Sequence, residues 1–182
     1  IGLAFDGDAD RCFVIDERGE PVTPSAVAAI VALREIERVR SAGETGEVVV
    51  IHNLITSRIV PETIEAARAT PVRTRVGHSL IKDQMAATGA VFGGEHSAHY
   101  YFRDFWGADN GMLAAMHVLA EFGSQELPLS RLAARFMPYS VSGEINSTVA
   151  DPQGRLAEIA RRYADGETLR MDGFSVTYPD WH

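Results

Sequence analysis

Alternation between apolar runs and polar loops divides the first fifty residues into clear elements. Two short apolar runs, Gly2–Phe5 and Cys12–Ile15, flank an acidic loop over residues 6–10, and this order predicts strand, loop and strand. Apolar residues at helical spacing predict a helix over residues 25–40, with Thr23 as N-cap and Pro24 in the first turn. The continuous β-branched run at residues 48–51 is typical of a strand covered on both faces.

The same alternation continues to Pro138, where the texture of the sequence changes. Strands alternating with helices predict an α/β layered domain, and we expect a domain boundary near Pro138. Before it, the pattern predicts strands over residues 72–76 and 90–92. It also predicts four helices, over residues 57–68, from the 77–79 turn to about residue 88, over 109–122 and over 129–136. After it, the pattern predicts a strand over residues 141–149, a helix over 153–163 and a strand over 174–178.

Composition and charge narrow the possible partners. The chain has 182 residues, of which 46% are hydrophobic and 23% charged, as is usual for globular domains. Its net charge is −8 and Lys82 is its only lysine, which argues against nucleic-acid binding. No apolar run approaches the roughly 20 residues that cross a bilayer, so no membrane association is expected. The single cysteine, Cys12, favours a reducing, cytoplasmic location.

The acidic loop, residues 6–11, reads Asp-Gly-Asp-Ala-Asp-Arg. Carboxylates at alternate positions of a tight loop, Asp6, Asp8 and Asp10, repel one another unless a cation lies between them. Oxygen ligands favour a hard ion, and Mg²⁺ is the usual one beside phosphates. Arg11 adds donors suited to a phosphoryl group. A solvated acidic turn and an EF-hand calcium loop are the alternatives, although the latter expects glycine at Arg11 and flanking helices.

A second polar segment, residues 93–99, reads Gly-Gly-Glu-His-Ser-Ala-His. The carboxylate of Glu95 and the hydroxyl of Ser97 suit two neighbouring sugar hydroxyls. The imidazole of His99 can bond to substrate or move a proton near neutral pH. The alternative is a polar hairpin turn that leads into the apolar residues 100–102.

A third segment, residues 74–79, joins a predicted strand to a predicted helix. Backbone N–H groups at such a junction can bind an anion, with Arg75 or His78 beside it. The alternative is an ordinary turn with Ser79 as the helix cap. All three polar segments lie at predicted strand ends or turns, where open α/β sheets bind ligands.

These segments together resemble the α-D-phosphohexomutase superfamily, specifically its phosphomannomutase/phosphoglucomutase members. The resemblance rests on residues 6–11, on residues 76–82 (Val-Gly-His-Ser-Leu-Ile-Lys) and on residues 94–99, and their order and separation agree. It implies a three-layer α/β/α domain followed by a partial α+β C-terminal domain. It also implies phosphoryl transfer between the 1- and 6-positions of a mannose or glucose phosphate, through a phosphoserine and a bisphosphate intermediate.

The resemblance also assigns roles to individual residues. Asp6, Asp8 and Asp10 would bind Mg²⁺, and Arg11 would assist at the transferring phosphate. The substrate-binding residues would be His78, Glu95, Ser97 and His99, with His99 also close enough to join proton transfer. Many members of this family have a lysine on a strand-end loop of the third domain, where it contacts the substrate. Residues 52–57 contain no lysine, so this substrate contact is either absent or made by His52 or Arg58.

Domain boundaries follow from the same resemblance. Residues 1–19 would end the second of four domains, 20–136 would form the third, and 137–182 would begin the fourth. The phosphoserine loop and the fourth-domain phosphate loop would lie outside the chain, which reads as a fragment that is inactive alone and exposes apolar surface where missing domains pack. A non-catalytic sugar-phosphate or metal-binding module, and a Mg²⁺-dependent phosphatase with an aspartate nucleophile, are the alternatives.

Overall fold

A computed structural model describes residues 1–181, which fall into a first unit, Ile1–Ser140, and a second unit that begins at Val141. In chain order the first unit contains β1 (Gly2–Phe5), β2 (Cys12–Ile15), β3 (Pro21–Val22), α1 (Pro24–Ser41), β4 (Val49–Asn53), α2 (Ile59–Ala66), β5 (Thr70–Thr74), α3 (His78–Thr88), β6 (Phe92–Gly94), β7 (Tyr100–Phe102), a 3₁₀ turn (Arg103–Phe105), β8 (Ala108–Asp109), α4 (Gly111–Gly123) and α5 (Leu129–Ala134).

The main sheet of the first unit has five strands in the order β5-β4-β6-β7-β8. Strands β5, β4 and β6 are parallel, whereas β7 and β8 are added antiparallel. All five residues of β4 are buried, which confirms the strand covered on both faces. Val50 belongs to the core with α1, while Val49 and Ile51 face Ile81 and Met85 of α3. Helices therefore lie on both faces, and the three-layer α/β/α domain is confirmed.

Helix α1 supplies much of the larger core. Thr23 Oγ1 accepts the Ala26 N–H at 3.2 Å and Pro24 occupies the first turn, as predicted. Eleven of its residues are buried, since the helix packs against the sheet and against α2 and α4. The small antiparallel sheet β1-β2-β3 packs against α4, with Cys12 and Val14 in the same core.

Two strand positions differ from the predicted ones. Strand β5 is Thr70–Thr74, not residues 72–76, and it includes Pro71 because an edge strand tolerates a missing N–H. Strand β6 is Phe92–Gly94, not residues 90–92, so a glycine expected in a turn lies in the sheet. A Cβ on Gly94 would lie 2.8 Å from Ala28 Cβ, and this close approach of α1 requires glycine there.

The second unit contains α6 (Pro152–Arg162) and an antiparallel pair, β9 (Glu167–Leu169) and β10 (Ser175–Thr177). The predicted helix and last strand are present, and β9 was not predicted. The strand predicted over residues 141–149 is wrong, because this stretch forms no ladder and Val141 and Ile145 are 71% and 79% exposed. Alternating apolar residues form a strand only where a partner strand satisfies the backbone. None of the helices described is long and apolar enough to cross a membrane.

Candidate functional site

The acidic loop is the turn of the β1–β2 hairpin. Ala9 adopts a left-handed conformation at φ 58°, and its N–H donates to the Asp6 carbonyl at 3.2 Å. This tight turn brings one carboxylate oxygen from each of Asp6, Asp8 and Asp10 to within 4.8 Å of the others. Strands flank the loop on both sides, unlike the helices of an EF-hand.

Helix α4 begins directly against the acidic loop. The Gly111 N–H donates to the Ala9 carbonyl at 3.1 Å, while Asn110 caps the helix by accepting from Leu113 N at 2.8 Å. A Cβ on Gly111 would lie 2.4 Å from the Arg11 carbonyl oxygen, so only glycine fits. Gly111 was not among the predicted site residues, although an Asn-Gly pair at the start of a predicted helix is a visible signal.

Arg11 pairs with the loop that precedes it. Its Nε lies 2.7 Å from Asp6 Oδ2 and 3.6 Å from Asp10 Oδ1, and 44% of its side chain is exposed. Its backbone N–H also donates to Asp6 Oδ1 at 3.2 Å. Burial acts to raise the pKa of Asp6, but the backbone hydrogen bond and charge of Arg11, together with a hydrogen bond to Asp10, hold it below its usual value. Arg11 thus keeps Asp6 ionised beside the other two carboxylates.

Asp10 shows that the acidic loop suits a cation. Burial raises the pKa of Asp10, and the charges of Asp6 and Asp8 raise it further against the opposite influence of His99. Its Oδ1 is covered, yet it accepts no hydrogen bond among the residues described. A covered carboxylate oxygen without a hydrogen bond is costly, and the Arg11 guanidinium 3.6 Å away offsets only part of that cost. Three convergent oxygen ligands, one of them unsatisfied, fit a hard divalent ion.

Glu95 belongs to the second polar segment, and its side chain lies in the interior of the first unit. Only 1% of the residue is exposed. Its Oε1 accepts from Asn53 Nδ2 at 3.1 Å and its Oε2 accepts from the Tyr101 hydroxyl at 2.9 Å. Both oxygens are therefore occupied by side chains of β4 and β7. The predicted contact between Glu95 and a sugar hydroxyl stays a prediction, and it would use the remaining acceptor positions of the carboxylate.

The turn after Glu95 is the hairpin between β6 and β7. Ala98 is left-handed at φ 68°, and Ser97 Oγ lies 2.8 Å from His99 Nδ1. His96 points elsewhere, with its Nδ1 2.8 Å from Ser25 Oγ on α1. The polar hairpin that sequence offered as an alternative is thus real, and it is the same turn that groups Ser97 with His99.

His99 joins this hairpin to the acidic loop. It forms an antiparallel bridge with Arg11, and Cys12 N donates to the Ala98 carbonyl at 3.3 Å. His99 Nε2 lies 3.7 Å from Asp10 Oδ1. Burial is the largest cause that lowers the pKa of His99, and it outweighs the charges of Asp10 and Glu95, which act to raise it. A neutral imidazole is thereby placed at the edge of the predicted metal site.

The third polar segment meets the other two through His78. Helix α3 begins at His78 itself, and its N-cap is Gly77, so Ser79 does not cap the helix. The His78 and His99 rings lie 4.2 Å apart, edge to face. His78 Nδ1 lies 3.1 Å from Asp109 Oδ2. All three segments singled out in the sequence therefore converge on one place, whereas Arg75 is an exposed residue on the same connection.

His78, His99 and Asp109 also bring three possible metal-ligand atoms within 4.8 Å of one another. This group has a single carboxylate, and Lys82 Nζ already lies 3.0 Å from Asp109 Oδ1, whereas the acidic loop offers two further carboxylates beside Asp6, which Arg11 contacts at 2.7 Å. The carboxylate thus has a positive partner, and a metal ion there would be repelled by the ammonium group. The acidic loop is the better candidate metal centre. Neither Asp109 nor Lys82 was among the predicted site residues.

Comparison with known proteins gives this arrangement a family. A sequence model described as phosphoglucomutase/phosphomannomutase, alpha/beta/alpha domain III, matches residues 23–139. The chain belongs to the phosphoglucomutase/phosphomannomutase family. The resemblance drawn from the three motifs is thereby confirmed, and so is the fold class of this family.

Individual relatives agree with this family. The phosphomannomutase of Salmonella typhimurium is 35% identical over 188 residues, which cover 100% of this chain and 39% of that protein. A phosphoglucomutase/phosphomannomutase family protein of known structure from Burkholderia thailandensis is 26% identical with a TM-score of 0.74, over 98% of this chain and 37% of that one. Aspergillus fumigatus N-acetylphosphoglucosamine mutase, at 17% identity and TM-score 0.56 over 92% of this chain and 42% of that one, shares the fold.

His52 and Arg58 are the two residues that the sequence offered in place of the family lysine. His52 is 3% exposed on β4, and its Nδ1 lies 2.8 Å from Thr56 Oγ1, so it is enclosed in the first unit. Arg58 precedes α2, where its Nε lies 3.6 Å from Glu62 Oε1 and its guanidinium lies over the ring of Tyr139. Burial of His52 makes it unsuited to contact a substrate from solvent.

Proposed function

We propose that this chain is the metal-binding and sugar-binding part of a phosphohexomutase of the phosphomannomutase/phosphoglucomutase type. The observation that carries the proposal is the junction of the acidic loop with the sugar loop, where Arg11 bridges to His99 and His99 Nε2 lies 3.7 Å from Asp10 Oδ1. A site for a cation and a set of sugar-hydroxyl partners thus share one edge. A substrate that is both a sugar and a phosphate ester requires both.

The proposed reaction moves a phosphoryl group between the 1- and 6-positions of a mannose or glucose phosphate. A phosphoserine donates its phosphoryl group to the substrate, the bisphosphate reorients, and the serine takes the other phosphoryl group back. The chain spans 39% of the Salmonella relative, so we place the phosphoserine in a part of the enzyme beyond these residues. For the same reason we expect no turnover from the chain alone.

Mg²⁺ is the proposed cofactor, held by Asp6, Asp8 and Asp10. The support is the convergence of three carboxylates and the unsatisfied Asp10 Oδ1. The Aspergillus mutase that shares the fold was crystallised with GlcNAc-6P and magnesium. When bound, the ion would neutralise charge on the phosphoryl group in transfer.

The remaining proposed roles belong to side chains of this chain. Arg11 keeps Asp6 ionised and, with 44% of its side chain exposed, is placed to donate to a phosphoryl oxygen. His99, with its pKa lowered by burial, would be neutral near pH 7 and able to accept a proton from a sugar hydroxyl. Ser97 orients His99 through the 2.8 Å contact with Nδ1. His78 and Glu95 complete the proposed sugar-binding set.

The domain assignment is part of the same proposal. Residues 1–19 would end the second domain of the mutase, 20–136 would form the third, and 137–182 would begin the fourth. Its partners would be a hexose phosphate and the other domains of the same polypeptide. A cytoplasmic location stays a prediction that rests on Cys12, the only cysteine in the sequence.

Asp8 offers the sharpest test of the metal centre because its side chain is exposed, so replacing it should spare the fold. In the longer mutase that contains this sequence, Asp8→Asn should abolish most Mg²⁺-dependent interconversion of hexose 1- and 6-phosphates. Mg²⁺ titration calorimetry should show weaker binding. The matched control is Asp83→Asn, an exposed aspartate on α3, which should behave as wild type.

Outcomes with the chain alone separate the alternatives. Mutase turnover by the 182 residues alone would contradict the expected inactivity. Release of inorganic phosphate from hexose phosphates in the presence of Mg²⁺ would indicate a phosphatase instead. Wild-type mutase rates for Asp8→Asn in the longer enzyme would refute the proposed metal site.

A further inference from the structure

Asp109 is a half-buried carboxylate that contacts two side chains of α3 at the edge of the candidate site. It is the last residue of β8, and 9% of its side chain is exposed. Its Oδ2 lies 3.1 Å from His78 Nδ1, and its Oδ1 lies 3.0 Å from Lys82 Nζ. Because His78 and Lys82 are four residues apart on one helix, both point to the same side of α3.

His78 needs such a partner because its own helix does not fix its orientation. It is the first residue of α3, and the N-cap Gly77 makes no side-chain hydrogen bond. The side chain is 49% exposed. Because so little packs against it, the imidazole alone would sample several rotamers, and ordering it on substrate binding would cost free energy. The contact with Asp109 and the edge-to-face contact with His99 restrict it in advance.

We propose that Asp109 is the positioning residue of His78 and that Lys82 locks the Asp109 carboxylate in place. A carboxylate only accepts hydrogen bonds, so His78 must carry its proton on Nδ1 to bond to Asp109. In this tautomer, Nε2 is a hydrogen-bond acceptor for a hydroxyl of the hexose phosphate. The substrate in this statement rests on the proposed function, whereas the tautomer of His78 does not.

Lys82 keeps the carboxylate charged and oriented. Burial acts to raise the pKa of Asp109, but the hydrogen bond and charge of Lys82 hold it below its usual value. Lys82 thus gives Asp109 a charged partner that does not depend on His78. The ammonium group also lies 5.7 Å from the centre of the Tyr101 ring, and the Tyr101 hydroxyl donates to Glu95. Lys82 therefore contacts both Asp109, which positions His78, and Tyr101, which holds Glu95.

The first test reads the tautomer directly. In the 182-residue chain labelled with ¹⁵N-histidine, long-range ¹H–¹⁵N spectra resolve the six histidines, and His78→Gln identifies the His78 signals. We expect His78 to carry its proton on Nδ1, and we expect Asp109→Asn to reduce that population. Asp83→Asn, on the same helix, should leave the spectrum of His78 unchanged. A proton on Nε2 in the wild-type chain overturns the proposal, whether or not the Asp109 variant folds.

The second test asks whether Asp109 acts through His78. In the longer mutase, Asp109→Asn and His78→Gln should each lower kcat/KM for the hexose phosphate by about tenfold to a hundredfold, the effect of losing a charge-assisted hydrogen bond. The double variant should be no worse than His78→Gln alone, because both changes remove the same contact. Lys82→Met should lower kcat/KM by a smaller factor than Asp109→Asn. Lys82→Arg should keep kcat/KM near the wild-type value, because it retains the positive charge.

Independent losses that multiply in the double variant would overturn the positioning role. An Nδ1 proton on His78 together with no mutase activity in the wild-type enzyme would support the role of Asp109 while refuting the proposed function. The two failures are therefore distinguishable.

Discussion

The side-chain amide of Asn53 donates a 3.1 Å hydrogen bond to Glu95 Oε1, and both residues are buried. Asn53 ends β4 and Glu95 follows β6, the next strand of the sheet, so a parallel strand pair holds the carboxylate from below. The Tyr101 hydroxyl holds the second oxygen at 2.9 Å. The carboxylate of the sugar loop is thus supported by two neutral donors rather than by a cation.

This relationship predicts a graded loss of stability at position 53. Asn53→Ala removes one donor from a buried carboxylate and should lower the free energy of unfolding by about 1–3 kcal/mol. Asn53→Asp is nearly the same size but places a second carboxylate against Glu95, so its cost should be larger near pH 7. Urea denaturation at pH 7 compares the two variants. If both variants were as stable as the wild-type chain, Asn53 would not support Glu95.

A pair of glycines in α4 tests the contact between that helix and the acidic loop. Gly111→Ala should displace the loop, because the added Cβ would lie 2.4 Å from the Arg11 carbonyl oxygen. We expect at least a tenfold weaker Mg²⁺ affinity by calorimetry, since a displacement of about 1 Å disturbs a site that depends on ligand geometry. Gly123→Ala, at the other end of α4, meets no atom within 4 Å and is the control. Unchanged Mg²⁺ affinity in Gly111→Ala would contradict this account.

The left-handed backbone of Ala9 predicts a stabilising substitution. At φ 58° an alanine Cβ is strained, and glycine removes that strain of about 1–2 kcal/mol while losing up to about 1 kcal/mol in chain entropy. Ala9→Gly should therefore raise the free energy of unfolding slightly, by up to about 1 kcal/mol. Ala120→Gly, exposed within α4, should lower it by about 1 kcal/mol, as in any helix interior. Thermal unfolding of the two variants checks the opposite signs.

His52 predicts a loss of stability in weak acid. Its pKa is lowered from 6.5 to about 4, chiefly by burial and also by the charge of Arg73 on the adjacent β5, while the hydrogen bond to the Asn53 carbonyl acts in the opposite direction. The folded chain then binds fewer protons than the unfolded chain, so the stability from neutral His52 is complete above pH 6.5. It is lost as the pH falls from 6.5 towards 4, by roughly 3 kcal/mol in all.

Chemical denaturation across that range measures the effect, with His52→Gln as the comparison because it cannot titrate. The stability difference between wild type and His52→Gln should shrink as the pH falls below 6.5. A constant difference across this range would mean that His52 is not neutral and buried. Titration of the carboxylates affects both proteins alike and drops out of the comparison.

Secondary structure was predictable where one segment contained the whole signal. The apolar runs around the acidic loop gave β1 and β2 without error, and the helical spacing with Thr23 and Pro24 gave α1 to within a residue at each end. Prediction was wrong at residues 141–149, where apolar and polar residues alternate but no strand among the described residues pairs with this stretch. It was displaced at β6, since Gly94 lies in the sheet to admit α1.

The sequence by itself determined the three polar motifs and the family that they indicate, because those residues are close in the chain and their spacing is visible. Only the tertiary structure decided that Asp109 and Lys82 support His78, that Asn53 supports Glu95, and that Gly111 touches the acidic loop. These partners come from different strands and helices, so no local pattern links them. The acidic loop is therefore recognisable as a metal motif from the sequence alone. The residues that lie next to it are set by the order of β4, β6, β7 and β8 in the sheet.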